Sequence, residues 1–245
     1  MKKLIFLVVN ILFLCSVVNS QSVDEIIASY IKNMGGLEKL KSLKTMKLEG
    51  IMPTQMGDLT ITIYKKTPNL SRTEIDFQGN KIIQAYDGEI AWAINPMTGN
   101  SEPQKLEGEM VKTLVNQAEF EDQFIDYQKK GHEITLEGKE NLDGTECYKL
   151  KVILNKNNDK EDLTNYYYLD TEYLMPIMIK TWTNNQEVDT YLSDYQDIKD
   201  GLMMAFKMDI KSQGQLVSSV NLTSAEVDID IDNSIFKFPA KSESE

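Results

Sequence analysis

The chain has 245 residues, with 38 acidic against 26 basic side chains, a single histidine and two cysteines, for a formal charge of −12. Such a surface repels nucleic acid and anionic lipid headgroups rather than gathering them. One imidazole excludes a histidine-based triad or a metal site that needs two.

The first residues read MKKLIFLVVNILFLCSVVNSQ: two lysines, an apolar run from Leu4 to about Val18, then small or polar residues. This is the pattern of a secretory signal peptide, with cleavage expected after Ser20. The run is shorter than the roughly 18 to 20 residues that span a bilayer, so an integral membrane protein is not expected. Cys15 raises a lipoprotein alternative, which the bulky Leu12-Phe13-Leu14 before it disfavours. Loss of Lys2 and Lys3 with the leader leaves 24 basic against 38 acidic residues, a charge of −14. Only Cys147 then remains, which rules out an intrachain disulfide. No linker divides residues 21–245, which read as one domain.

Ser22 and Glu25 form a capping box, and Val23, Ile26, Ile27, Tyr30, Ile31 and Met34 recur at helical spacing until Gly35-Gly36 ends the helix. LEKLKSL follows as a short second helix. From Thr45 the period changes to two, in TMKLEGIM, LTITIYKK, LSRTEIDF, KIIQAYD and EIAWAI, separated by turn residues such as Gly57-Asp58 and Asp87-Gly88. Leu106, Met110, Leu114 and Ala118, at steps of four, predict an amphipathic helix over 104–120. Strands resume from His132 and run to about Ile229, roughly a dozen in all. Short links imply antiparallel neighbours. The fold class is mainly β with helices: a long curled sheet whose concave face the two apolar helix stripes cover.

Little in the chain carries chemistry. His132 reads as a surface or turn residue and Cys147 as a small residue on the outer face of its strand. Asp228, Asp230 and Asp232 have the spacing of calcium-loop ligands, but Asn233 and Pro239 stand where Gly and Glu are required. The bland reading there is a strand with a charged outer face. Glu119, Glu121 and Asp122 carry no glycosidase signal among so many acids. Tyr166-Tyr167-Tyr168 alternates faces along a strand. The 12 methionines suit a surface that adapts to variable apolar ligands, and equally a filled core. No cofactor and no metal are expected.

The block KKTPNLSRTEIDFQGNKIIQAYDGEIAWAINP, with Lys66, Pro68, Asn69, Asp87, Gly88, Trp92, Asn95 and Pro96 at its turns and strand ends, resembles the LolA/LolB-like lipoprotein-sorting carriers. The resemblance implies an unclosed antiparallel β-barrel, with helices as a lid over a cavity for acyl chains. The basic residue those carriers place before Pro-Asn is Thr67 here, with Lys65, Lys66 and Arg72 close by as candidates for handling cargo. The chain is longer than the familiar carriers, with extra turns around Asn155 to Asp162. Cavity-lining candidates are Ile83, Trp92, Leu106, Met110, Leu114 and Tyr167, with the 104–120 helix expected to point its three residues at the other three. The expectation is a non-catalytic periplasmic carrier of lipid or lipoprotein acyl chains. The alternative is a sensing or structural module that meets other envelope proteins, and an enzyme comes third.

Overall fold

The computed structural model describes residues 21–154, 163–183 and 186–239. The expected leader with Cys15, and the expected turns at 155–162, lie outside the described residues. Helix α1 (Val23–Asn33) starts at Ser22, whose side chain accepts from the Glu25 amide while Glu25 accepts from the Ser22 amide, as the capping box requires. Helix α2 (Leu37–Ser42) follows the glycine pair. Then come β1 (Thr45–Thr54), β2 (Gly57–Lys66), β3 (Leu70–Phe77), β4 (Asn80–Tyr86) and β5 (Ala91–Asn95).

The expected 104–120 helix is shorter than its pattern. Residues Asn100–Lys105 form an additional strand, β6, and the helix α3 spans Glu109–Ala118. The Leu106 amide still bonds to the Ala91 carbonyl at 2.8 Å, and Gly108 at φ 62° then breaks the extended run. Six further strands precede the last: β7 (Glu133–Leu142), β8 (Thr145–Leu154), β9 (Leu163–Asp170), β10 (Pro176–Thr183), β11 (Gln186–Lys199) and β12 (Leu202–Ser212). The last, β13 (Gln215–Val227), stops short of Ile229 because Asp228 takes φ 56°. The aspartate segment is therefore not a strand. Asp228 pairs with Lys199 and accepts from the Lys44 amide, and Asp232 accepts from Ser234.

All 13 strands belong to one antiparallel sheet in the order β6-β5-β4-β3-β2-β1-β13-β12-β11-β10-β9-β8-β7, not closed into a barrel. Two meanders meet at a seam where β1 pairs β13, Met46 opposite Val227 and Ile51 opposite Asn221. At Gly50 the register shifts, and a Cβ there would lie 2.8 Å from the Asn221 carbonyl oxygen. Only glycine lets the two backbones approach so closely. Because β6 and β7 are opposite edges, the chain between them must cross one face of the sheet. It does so as α3 and a strap over residues 119–132, and that face is here called the inner one.

The inner face under α1 and the strap holds the largest cluster of buried residues, with Ile26, Ile27 and Tyr30 of α1, Phe124 of the strap, and Leu150, Val152, Tyr167 and Leu169 of β8 and β9. Tyr30, Phe124 and Tyr167 meet edge to face at 4.9 Å. His132, expected at a surface, is instead buried beside this core, which pushes its imidazole pKa down. Cys147 lies opposite Asp170 on the outer face and is fully buried against Tyr168 and Met178. Burial pushes its thiol up to about 11, so a thiolate is scarce at neutral pH.

Candidate functional site

The alternation of each strand decides which side chains share a face. On the inner face, Leu48 lies opposite Ile63, Met52 opposite Leu59, and Ile61 opposite Ile75. Across the seam Met208 lies opposite Val220. All of these but Leu59 pack with Leu222, Met204 and Phe206 in one apolar cluster made of strand residues alone. Ile61, Val220 and Leu222 form its buried floor, while Met52, Ile63, Ile75, Met204, Phe206 and Met208 are only half-buried.

Helix α3 covers the flank of that cluster, over β3, β4 and β5. Its buried residues Leu114 and Ala118 meet Tyr86 and Ala91, with Leu106, Val111 and Val115 partly buried beside them. Met110, expected to point inward, is 52% exposed. Nor does α3 face the expected strand residues. Tyr86 pairs Ala91 and Ala85 pairs Trp92, so Ile83, Ala85 and Trp92 point to the opposite, outer face, where they pack with Phe238. Periodicity identified the strands, but nothing in β4 or β5 marks which alternate set faces inward, since both sets are apolar. Tyr167 is on the inner face but under α1 and the strap. Of the six candidates, the structure brings Leu106 and Leu114 together on the inner face and Ile83 and Trp92 together on the outer one.

The three basic candidates also separate. Lys65 alone is on the inner face, beside the apolar cluster, where its ammonium donates to the Glu119 carbonyl at 3.1 Å. Burial holds its pKa below the ordinary lysine value. Lys66 and Arg72 are on the outer face and hold the C-terminal segment: Lys66 donates to the Ile231 carbonyl at 2.7 Å, and Arg72 to that of Ile235 at 2.8 Å. Arg72 also donates to Glu74 at 2.7 Å, lies 5.6 Å above the Trp92 ring, and Trp92 donates to the Phe236 carbonyl at 2.7 Å. A cleft of about 370 Å³ on this outer side is lined by Arg72, Trp92 and the segment itself, from Ser234 to Pro239.

Composition gave no warning of the strap. Its Asp122 carboxylate accepts from the Tyr30 hydroxyl and from the Phe124 amide, and Gln123 accepts from the Tyr167 hydroxyl at 2.6 Å. Lys130 donates to the Asp122 carbonyl at 3.0 Å and pairs with Glu119 and Glu121. Burial nevertheless raises the Asp122 pKa, and burial beside that carboxylate raises those of Tyr30 and Tyr167. These bonds pin the strap across one part of the inner face and leave the methionine-lined part beside it clear. The arrangement offers a deformable apolar surface with one cation at its margin.

A scan against protein-family models and a search of curated protein sequences found no match. Solved structures do match. A DUF1329 family protein from Desulfovibrio piger superposes with a TM-score of 0.60 at 15% identity, over 89% of this chain and 98% of that one. A LolA superfamily protein from Nitrosomonas europaea gives 0.58 at 11% identity, over 89% and 98%. A Vibrio parahaemolyticus domain named for outer membrane lipoprotein sorting gives 0.51 at 11%, over 84% and 97%. At these identities the likeness concerns the backbone, and the open sheet with its covering helices has the LolA-like fold.

Proposed function

We propose that this protein is a non-catalytic carrier of acyl chains, from lipids or lipoproteins, in the bacterial periplasm. The observation that carries the reading is the inner-face cluster of Met52, Met204, Phe206, Met208 and their neighbours, half-buried and built without a helix residue. An acyl chain laid there gains about 0.8 kcal/mol per methylene removed from water, and thioethers repack around chains of differing length. Lys65 at the margin suits a headgroup phosphate or carboxylate. The names of two structural neighbours point the same way, and the leader-like residues 1–20 suit export. Among the described residues, no helix is long and apolar enough to cross a membrane.

Organic extraction of the exported protein, followed by mass spectrometry, should recover bound lipid, and a fluorescent fatty acid should bind the delipidated protein. Met208→Glu places a charge in the apolar surface and should weaken the probe about tenfold or more. A protein that carries no lipid and binds no acyl probe is not a carrier.

A further inference from the structure

On the inner face of β1–β5 the alternation of the strands sets mostly apolar side chains, and in one place it sets four polar ones together. Lys65 lies directly opposite Ser71, Thr73 follows Ser71 on the same side of β3, and Gln84 lies directly opposite Thr73. Opposed residues hold their Cβ atoms about 5 Å apart and i, i+2 neighbours about 7 Å, so the four make one patch. It borders two apolar regions. Thr73 is also opposite Ile63 of the strand cluster, and Ser71 is also opposite Tyr86, which packs beneath α3. Residues 45–95 are all described, and of those that β1–β5 turn inward Lys65 alone is charged. Its neighbours in sequence, Lys66, Arg72 and Glu74, belong to the outer side.

Inside this patch the donors outnumber their acceptors. The Lys65 ammonium carries three N–H groups and gives one to the carbonyl of Glu119, the residue that ends α3. No carboxylate lies within ion-pair distance of it among the described residues, since the Glu119 side chain turns to Lys130 at 3.2 Å. Ser71 is 7% exposed, and neither its hydroxyl, nor that of Thr73, nor the Gln84 amide has a hydrogen-bond partner among the described residues. The bond to Glu119 secures α3 and uses one donor. For packing alone, aliphatic residues at 71, 73 and 84 would spare the cost of desolvating polar groups. Convergent donors beside a single cation match a small oxyanion bearing one charge. A carboxylate has four lone-pair sites for the ammonium, the two hydroxyls and the amide. A phosphate monoester brings a charge of about −1.5 to −2, which one lysine leaves partly unbalanced, and the ester and amide ends of lipoprotein acyl chains bring none.

We infer that Lys65, Ser71, Thr73 and Gln84 form a head-group site for an ionised carboxylate, and that the ligand is a free fatty acid whose chain lies over the strand cluster. This rests on the carrier reading and narrows it. The test is displacement of an uncharged fluorescent alkyl probe from the delipidated protein by dodecanoate, methyl dodecanoate and dodecyl phosphate, at a pH where the acid is ionised. A bare apolar face prefers the ester, which has no charge to strip of water. The unaltered protein should instead bind dodecanoate about tenfold or more tightly than the ester, and more tightly than the phosphate. Lys65→Met should abolish this preference while the ester binds as before. Thr73→Val removes one hydroxyl and keeps a β-branched side chain on the strand; it should reduce the preference severalfold, and it carries the test if Lys65→Met does not fold. Lys66→Met, on the outer face, should leave the preference unchanged. Ester binding as tight as dodecanoate overturns the head-group site and leaves the carrier reading standing. Dodecyl phosphate binding tightest overturns the carboxylate and gives the site to phosphate. A preference that survives both inner-face changes, or is lost equally with Lys66→Met, overturns the assignment of these residues. A protein that binds neither the probe nor any of the three overturns the carrier reading and the site with it.

Discussion

Arg72 joins three groups at once: the Glu74 carboxylate, the Ile235 carbonyl and the face of Trp92. Its truncation to alanine leaves the Ile235 carbonyl without its donor and the partly buried Glu74 carboxylate with Lys81 alone, at a cost of about 2 kcal/mol in urea unfolding. Release of the C-terminal segment should also shift Trp92 emission to the red, and an unchanged spectrum would count against this anchoring role. Asp122 gives the pH signature. Its raised pKa means that the folded state holds the proton more tightly than the unfolded chain. The carboxyl therefore favours folding most below the ordinary carboxylate pKa, and that contribution is lost as pH rises through the elevated folded value. Measured against Asp122→Asn, the stability of the native protein should fall from pH 3 to pH 8, by about 1.4 kcal/mol for each unit of elevation. A pH-independent difference between the two proteins would mean that burial does not perturb this group.

Among the elements, α3 makes the sharpest claim. Leu114 is 6% exposed against Tyr86 and Ala91, whereas Met110 is half in solvent. Leu114→Ser should cost about 3 kcal/mol and Met110→Ser less than about 0.5 kcal/mol, read from denaturant midpoints. Equal costs would mean that the helix is rotated. Strand identity was legible from alternation and turn residues: β3, β8 and β9 span the segments that the pattern marks out. Strand β6 was not legible, because Asn100–Lys105 contains no aliphatic residue and includes Pro103, which can pair only at an edge. The strap was equally hidden: it has no regular period, yet it buries Phe124 and Ile125 completely. The facing of Ile83 and Trp92 escaped because a strand apolar on both sides has no preferred orientation until its partners are known. The basic cluster Lys65, Lys66 and Arg72 looks like one site in sequence, yet period two sends Lys65 to one face and the other two to the opposite face.

For the whole molecule, the seam between β1 and β13 is the contact on which the single sheet depends. Gly50→Val drives a branched side chain into the Asn221 carbonyl and should cost about 3 kcal/mol, with loss of cooperativity if the two meanders part. A sharp, unaltered transition would show that the seam has room. Local patterns could not reveal this pairing, because they describe each strand and its sequence neighbour, and the seam joins strands from opposite ends of the described chain. The same pairing has a kinetic consequence. Met46 finds Val227 across 181 residues, whereas every other ladder closes between consecutive strands. Loop-closure entropy makes such a long-range contact slow, so each meander can form early and the two halves join late. A chain delivered N-terminus first cannot complete β1 until β13 arrives. Until then β1 presents an unpaired edge, and the interval before the C-terminal strands emerge is when this protein is most exposed to aggregation.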